Sequence, residues 1–207
     1  MNKARLEALS DGVFSIVMTL LIFDIKVPIL PEPVTNGALW QELAILSPHI
    51  LVYAGTFIVL SVMWINHHFL FQSFAKKVDR YLNLTNLLYL MFVAFVPFSA
   101  SFMGQYYTYQ SAVVLYGLNI LVITGISVFM TFHIKRTQGT DHLSMRLINQ
   151  ARFRSVLSIS CYVFGIAISF VNPYASLFFY IFPVVFNFVP GLLNFTEHIF
   201  GFDLGED

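Results

Sequence analysis

Cysteine and charge are what this chain has least of. Its 207 residues include one cysteine, Cys161, set inside an apolar run, so neither a disulfide framework nor a cysteine metal site is available. Only 11% of the residues are charged, against roughly 25% in an ordinary soluble domain. Lys plus Arg and Asp plus Glu number 11 each, and a formal net charge of zero argues against nucleic acid as a partner. There is no HExxH, CxxC, GxSxG or Gly-rich phosphate loop, and no span carries paired carboxylates, so a membrane enzyme has no supporting constellation. No stretch outside the apolar runs is long enough to fold as a soluble catalytic domain.

Apolar surface is what the chain has in abundance. Hydrophobic residues make up 57%, including 23 Phe and 10 Tyr, and the mean hydropathy is +0.75. This composition is that of an integral membrane protein. Beyond the first apolar segment, three long stretches lack Asp, Glu, Lys and Arg: residues 43–75, 81–134 and 155–196. The first suits one span with an interfacial tail. The second is broken by the polar "GQYYTYQS" (104–111), suited to a turn at the aromatic belt. The third is broken by "NPY" (172–174), where proline cannot continue a helix and disfavours helix at Asn172.

The expected fold is therefore all-α, with six transmembrane helices forming one domain over residues 1–207. Helices satisfy their own backbone groups in lipid. With both termini on one side, that side receives Lys3, Arg5, Lys76, Lys77, Arg80, Lys135, Arg136, Arg146, Arg152 and Arg154, and the other only Lys26. The bias places both termini in the cytoplasm. "VPILPEPVTNG" (27–37) is expected as loop, "HIKRTQGTDHLSMRLINQARFR" (133–154) as a turn and a juxtamembrane helix, and "GFDLGED" as a short acidic tail. Glu7, Asp11, Asp24 and Lys26 interrupt the first segment and no small-x-small cleavage site follows, so it is expected to stay in the mature protein.

That first segment, "ALSDGVFSIVMTLLIFDIKVP" (8–28), poses the functional question. Its charge-free run covers only residues 12–23, whereas a spanning helix needs about 20. Asp11 or Asp24 must then lie in or near lipid depth, where a carboxylate is costly and normally faces the bundle interior or water. Ser10 and Asp11 could instead cap a helix N-terminus. Against that, "NKARLEAL" before them favours helix, so the helix can start near residue 3 and run through Asp11.

On a helical wheel Gly12, Ser15, Ile16, Thr19, Phe23 and Lys26 share one sector. This sector suits either a small-residue packing face between helices or a face toward a narrow, mostly apolar water path. Of six histidines, the adjacent His67 and His68 diverge by about 100° on a helix and cannot easily hold one ion. They mark the end of span two, or one of them is a buried hydrogen-bonding partner for another helix.

"RLEALSD" at the start of the first helix resembles the signature of the transmembrane protein 175 family, the endosomal and lysosomal potassium channels and their bacterial relatives. That signature is a basic residue, three others, then Phe-Ser-Asp; here it is Arg5, then Leu9-Ser10-Asp11, with Leu9 in place of Phe. "GVFSIVMTLLIFDIKVP", "WINHH" (64–68) and "RYLNLTNLLYLMFVAFVPF" (80–98) are also similar to family segments, the last to an Asn-containing helix ended by Pro-Phe. The resemblance implies a potassium-permeable cation channel in a bacterial inner membrane, built as a homotetramer around a pore lined by the first helices. Potassium would be the permeant ion, with no cofactor and no metal site. It implies a structural network of Arg5, Ser10 and Asp11 with Trp64, His67 and Asn86, and pore positions at Ile16, Thr19 and Phe23, flanked by Gly12 and Ser15. Asp24 falls at the outer mouth. Phe23 replaces the family's usual aliphatic residue.

No TVGYG filter occurs, so a ring of Ile16 would constrict by dewetting and a ring of Thr19 would replace part of an ion's hydration. The competing class is an ion-coupled or proton-coupled secondary transporter. It is motivated by Asp11, Asp24 and the histidines, with Pro183 and Pro190 as its only hint of discontinuous helices.

Overall fold

A computed structural model describes residues 2–138 and 142–188, with side chains for all of these except 142–151 and 188. The acidic tail, His198, Pro190, and the side chains of His142 and Arg146 lie outside the described residues.

Helix α1 (Lys3–Leu20) starts where Asn2 Oδ1 accepts the Ala4 N–H at 3.3 Å, and continues as a 3-10 turn over Leu21–Asp24. The helix therefore runs through Asp11, which is not its cap. Helix α2 (Asn36–Ser73) begins seven residues earlier than the charge-free run suggests, because Thr35 Oγ1 accepts from Ala38 N and takes Asn36 and Gly37 into the helix. It passes through Pro48 without ending. Proline offers no N–H to the carbonyl of Ala44, and Ser47 Oγ donates to that carbonyl instead, at 2.7 Å.

The third expected span is split into α3 (Arg80–Ala94) and α4 (Val96–Gln105). Pro97, at the second position of α4, does not end the rod as the resemblance suggested. The first turn of a helix tolerates proline, so the chain breaks at Phe95 alone and resumes. The expected turn follows at Tyr106–Tyr109, closed by Tyr109 N to Tyr106 O at 2.9 Å. Helix α5 (Gln110–Gln138) leads to α6 (His142–Ile168), in which the expected juxtamembrane helix and the span are one continuous element. Helix α7 (Pro173–Phe188) starts with proline at its first position, and Asn172 Oδ1 accepts from Tyr174 N at 2.9 Å.

Among the described residues, four helical stretches are long and apolar enough to cross a membrane: Lys3–Asp24, Asn36–Ser73, Arg80–Gln105 and Gln110–Gln138. Helix α1 packs on α2 and α3, and the α6–α7 hairpin packs on α5 and α2. Their shared core includes Leu60, Phe71, Tyr89, Val93, Ile120 and Ile123, all almost fully buried. The hairpin is keyed in place by Tyr180. Its ring occupies space that a Cβ at Gly117 of α5 or Gly165 of α6 would take, and its hydroxyl donates to Val113 O at 3.1 Å.

One end of the bundle is tied by polar contacts between loops and helix ends. Gln138 Oε1 accepts from Lys76 N and Lys77 N, at 2.6 and 3.0 Å, while its Nε2 donates to Lys77 O. Asp79 caps α3 by accepting from Leu82 N at 2.7 Å, and its other oxygen meets His133 Nε2 at 2.7 Å. The Leu82 N–H, and after it the His133 ring, hold the Asp79 carboxyl below its ordinary range.

Candidate functional site

The first helix has two faces. Leu6, Ser10, Phe14, Val17 and Leu21 are buried against the rest of the chain. Gly12, Ser15, Ile16, Thr19 and Phe23 are exposed, Ile16 at 60% and Phe23 at 75%. At 100° per residue the centres of these two sets lie roughly 170° apart, so the helix presents the marked sector directly away from its own subunit. The hydroxyls in that sector donate along the helix: Ser15 Oγ to Asp11 O at 2.8 Å, and Thr19 Oγ1 to Ser15 O and Ile16 O at 2.9 and 2.8 Å. With their protons engaged inward, both oxygens turn lone pairs outward, the polarity that suits a cation.

Opposite that sector, a buried polar chain crosses three helices. Ser10 Oγ donates to Leu6 O at 2.9 Å and accepts from Asn86 Nδ2 at 3.1 Å. Asn86 Oδ1 accepts from His67 Nε2 at 2.7 Å. Each residue of the chain is buried, so each finds its partner inside the protein, as burial demands. Around them the His67 ring stacks on Phe71 and Tyr89, at centroid distances of 4.7 and 5.1 Å, and Phe14 leans on both His67 and Tyr89. His67 is thus the buried interhelical partner and not an interfacial tip. Its neighbour His68 turns away and stacks on Trp64 at 5.6 Å.

Asp11 sits on the flank of the same helix and accepts from Trp64 Nε1 at 2.8 Å. The structure therefore brings Ser10, Asn86 and His67 into one group and Asp11 with Trp64 into another. Arg5 joins neither: it is exposed, and its side chain makes no hydrogen bond or ion pair among the described residues.

At the far end of α1, Asp24 Oδ1 accepts from Ser101 Oγ of α4. A Cβ at Gly104 would lie 3.4 Å from His49 Cδ2 and 3.9 Å from Asp24 Oδ2, so glycine there lets α4 approach α2 beside the carboxylate. Ser101 was not among the residues singled out from the sequence, and His49 stood there only as one of six histidines weighed against a metal site. The available signal was the small-residue run "SAS" (99–101) in the same span as Asn86, which by itself names no partner.

Several apolar helices, a first helix that leaves a hydroxyl-bearing face uncovered, and a polar network behind that face describe an all-α membrane protein whose first helix is open to other copies or to water. Known proteins narrow the class to one family. The family model described as "Endosomal/lysosomal potassium channel TMEM175" matches residues 5–97. A potassium channel of Chryseobacterium sp. (strain P1-3) is 33% identical over 180 residues, covering 87% of this chain and 89% of that protein. A potassium channel of Streptomyces collinus is 47% identical over 107 residues, about half of each chain. Among solved structures, the crystal structure of a lysosomal potassium-selective channel TMEM175 homolog from Chamaesiphon minutus superposes with a TM-score of 0.77 at 29% identity. It covers 89% of this chain and 95% of that one. The chain belongs to the TMEM175 family.

Proposed function

We propose that this chain is the subunit of a potassium-permeable channel in a bacterial inner membrane. Four copies surround a central pore, and α1 of each faces the axis through Gly12, Ser15, Ile16, Thr19 and Phe23. Six spans, counting α3 and α4 as one, put both termini in the cytoplasm, and residues 1–207 form one channel domain. The observation that carries this proposal is the opposition of the two faces of α1: the face that packs inside the subunit is continuous, and the face behind it is left for other copies or for water. A single helix cannot enclose a conduit, so the geometry requires more than one copy.

Ile16 supplies the apolar ring that dewets and closes, and Thr19 offers oxygen lone pairs one turn further along. Asp24 gathers cations at the outer mouth. The Ser10–Asn86–His67 chain and the Asp11–Trp64 bond set the rotation of α1 and do not touch the ion. Membership of a channel family favours passive conduction over ion-coupled or proton-coupled transport.

The test is conduction. Purified protein in planar bilayers should carry potassium current, and Thr19→Ala should change the potassium-to-sodium permeability ratio. An unchanged ratio removes Thr19 from its role. Counting subunits in the reconstituted protein tests the tetramer.

A further inference from the structure

Away from α1, a cavity of about 360 Å³ lies among α2, α3, α5, α6 and α7. One part of its wall is apolar, with Val59, Met63, Leu70 and Tyr162. The other carries Arg154, Asn187, Ser158, Thr131, Ser127 and Asn66. None of the residues lining it is acidic. The guanidinium of Arg154 makes no hydrogen bond or ion pair among the described residues, and its Nε is shut off from solvent without a partner. Asn187 Oδ1 is buried and unpaired as well, its Nδ2 being spent on Pro183 O at 2.6 Å. A cation at membrane depth is costly and calls for an anion. Among the described residues the cavity presents the cation, the hydroxyls around it and the space, with no acidic side chain in its lining.

We propose that this cavity is a binding site for the phosphate headgroup of an anionic glycerophospholipid. Three features favour a lipid over free phosphate. Ile65 and Phe69, exposed at 50% and 41%, form part of the rim, so the opening lies on an apolar flank of α2. The inner wall continues that apolar surface and can hold the first carbons of the acyl chains. The cavity also sits at the end of the bundle that gathers Lys76, Lys77, Arg80, Lys135 and Arg136, a belt that concentrates acidic lipid. Guanidinium is the side chain suited to phosphate, because its planar fork donates two parallel hydrogen bonds. The site stands apart from α1 and does not depend on how the pore is built.

The experiment uses the full chain, purified, delipidated and reconstituted in detergent. Titrated phosphatidylglycerol should raise the melting temperature by about 5 °C or more at a hundred-fold excess over half-saturation, and native mass spectrometry should retain it on the protein. Phosphatidylcholine should do neither. Arg154→Gln should abolish the shift, whereas Arg152→Gln, which alters an exposed arginine of the same helix, should keep it. Ser127→Phe fills the cavity while leaving the charge in place and should also abolish the shift, so the test survives if Arg154→Gln does not fold. A shift that persists in both cavity variants, or that is lost equally in Arg152→Gln, overturns the proposal. Inorganic phosphate matching the effect of the lipid overturns the lipid as the ligand.

Discussion

Replacing Asn86 with leucine removes the central link of the buried chain while nearly conserving volume. Two hydrogen bonds go with it, to Ser10 at 3.1 Å and to His67 at 2.7 Å. Interhelical hydrogen bonds in membranes average about 0.6 kcal/mol, with a maximum near 1.7. Ser10 keeps its bond to Leu6 O and loses little. His67 keeps none, because its side chain has no other hydrogen bond among the described residues and is packed by the rings of Phe14, Phe71 and Tyr89, and orphaning a buried polar nitrogen costs a further ~1–3 kcal/mol. Asn86→Leu should therefore destabilise the subunit by about 2–4 kcal/mol. His67→Phe should cost less, since phenylalanine preserves the stack on Phe71 and Tyr89.

The pair together should cost less than the sum of the two, with a coupling of about 1 kcal/mol or more, because an apolar pair leaves nothing unsatisfied. Denaturant unfolding in mixed micelles, read by the double-mutant cycle, measures this directly. If the two effects simply add, the hydrogen bond contributes nothing and the account of the network fails.

Further outcomes follow from the same geometry. Ile16→Asn should wet the proposed constriction and raise single-channel conductance several-fold, and unchanged conductance would remove Ile16 from that role. Trp64→Phe loses the donor to Asp11 and should cost about 1 kcal/mol, while Asp11→Asn, which keeps an acceptor, should cost less. Asp79→Ala should cost about 0.5–2 kcal/mol through the lost cap of α3, and Asp79→Asn much less. Because the folded-state carboxyl of Asp79 titrates below its ordinary value, its stabilisation is present above that value and lost as pH falls through the lowered one. Melting temperature against pH between about 2 and 5 should fall more steeply in the native protein than in Asp79→Asn.

How much of this was legible in the sequence varies from residue to residue. The turn at Tyr106–Tyr109 and the break at Asn172 were readable, since glycine, tyrosine and proline act through the local backbone. The partnership of Ser10, Asn86 and His67 was readable through resemblance, not from spacing, because nothing in a one-dimensional pattern says which helix faces which. The start of α2 was misread for a physical reason: an absence of charge measures lipid depth, whereas a helix continues wherever its backbone is capped. The cap was Thr35. The break at Phe95 was hidden because proline at a helix's second position looks the same on paper as proline that ends one. Ser101 was missed because a serine in an apolar run is mute until a carboxylate appears opposite it.

The 3-10 turn at the end of α1 has one more consequence, a matter of counting. Helix α1 and the α3–α4 rod run parallel and are fastened at two levels, Ser10 to Asn86 and Asp24 to Ser101. Fourteen residues separate the fasteners on one rod and fifteen on the other. Taken as plain α-helix, the two stretches would rise about 21 Å and about 22.5 Å. The final turn rises faster per residue and brings α1 to about 23 Å, so the two scales meet like a vernier. The number of residues between Ser10 and Asp24 is thus constrained as well as their kinds: one residue more or fewer would swing the outward face by about 100° and unfasten one end.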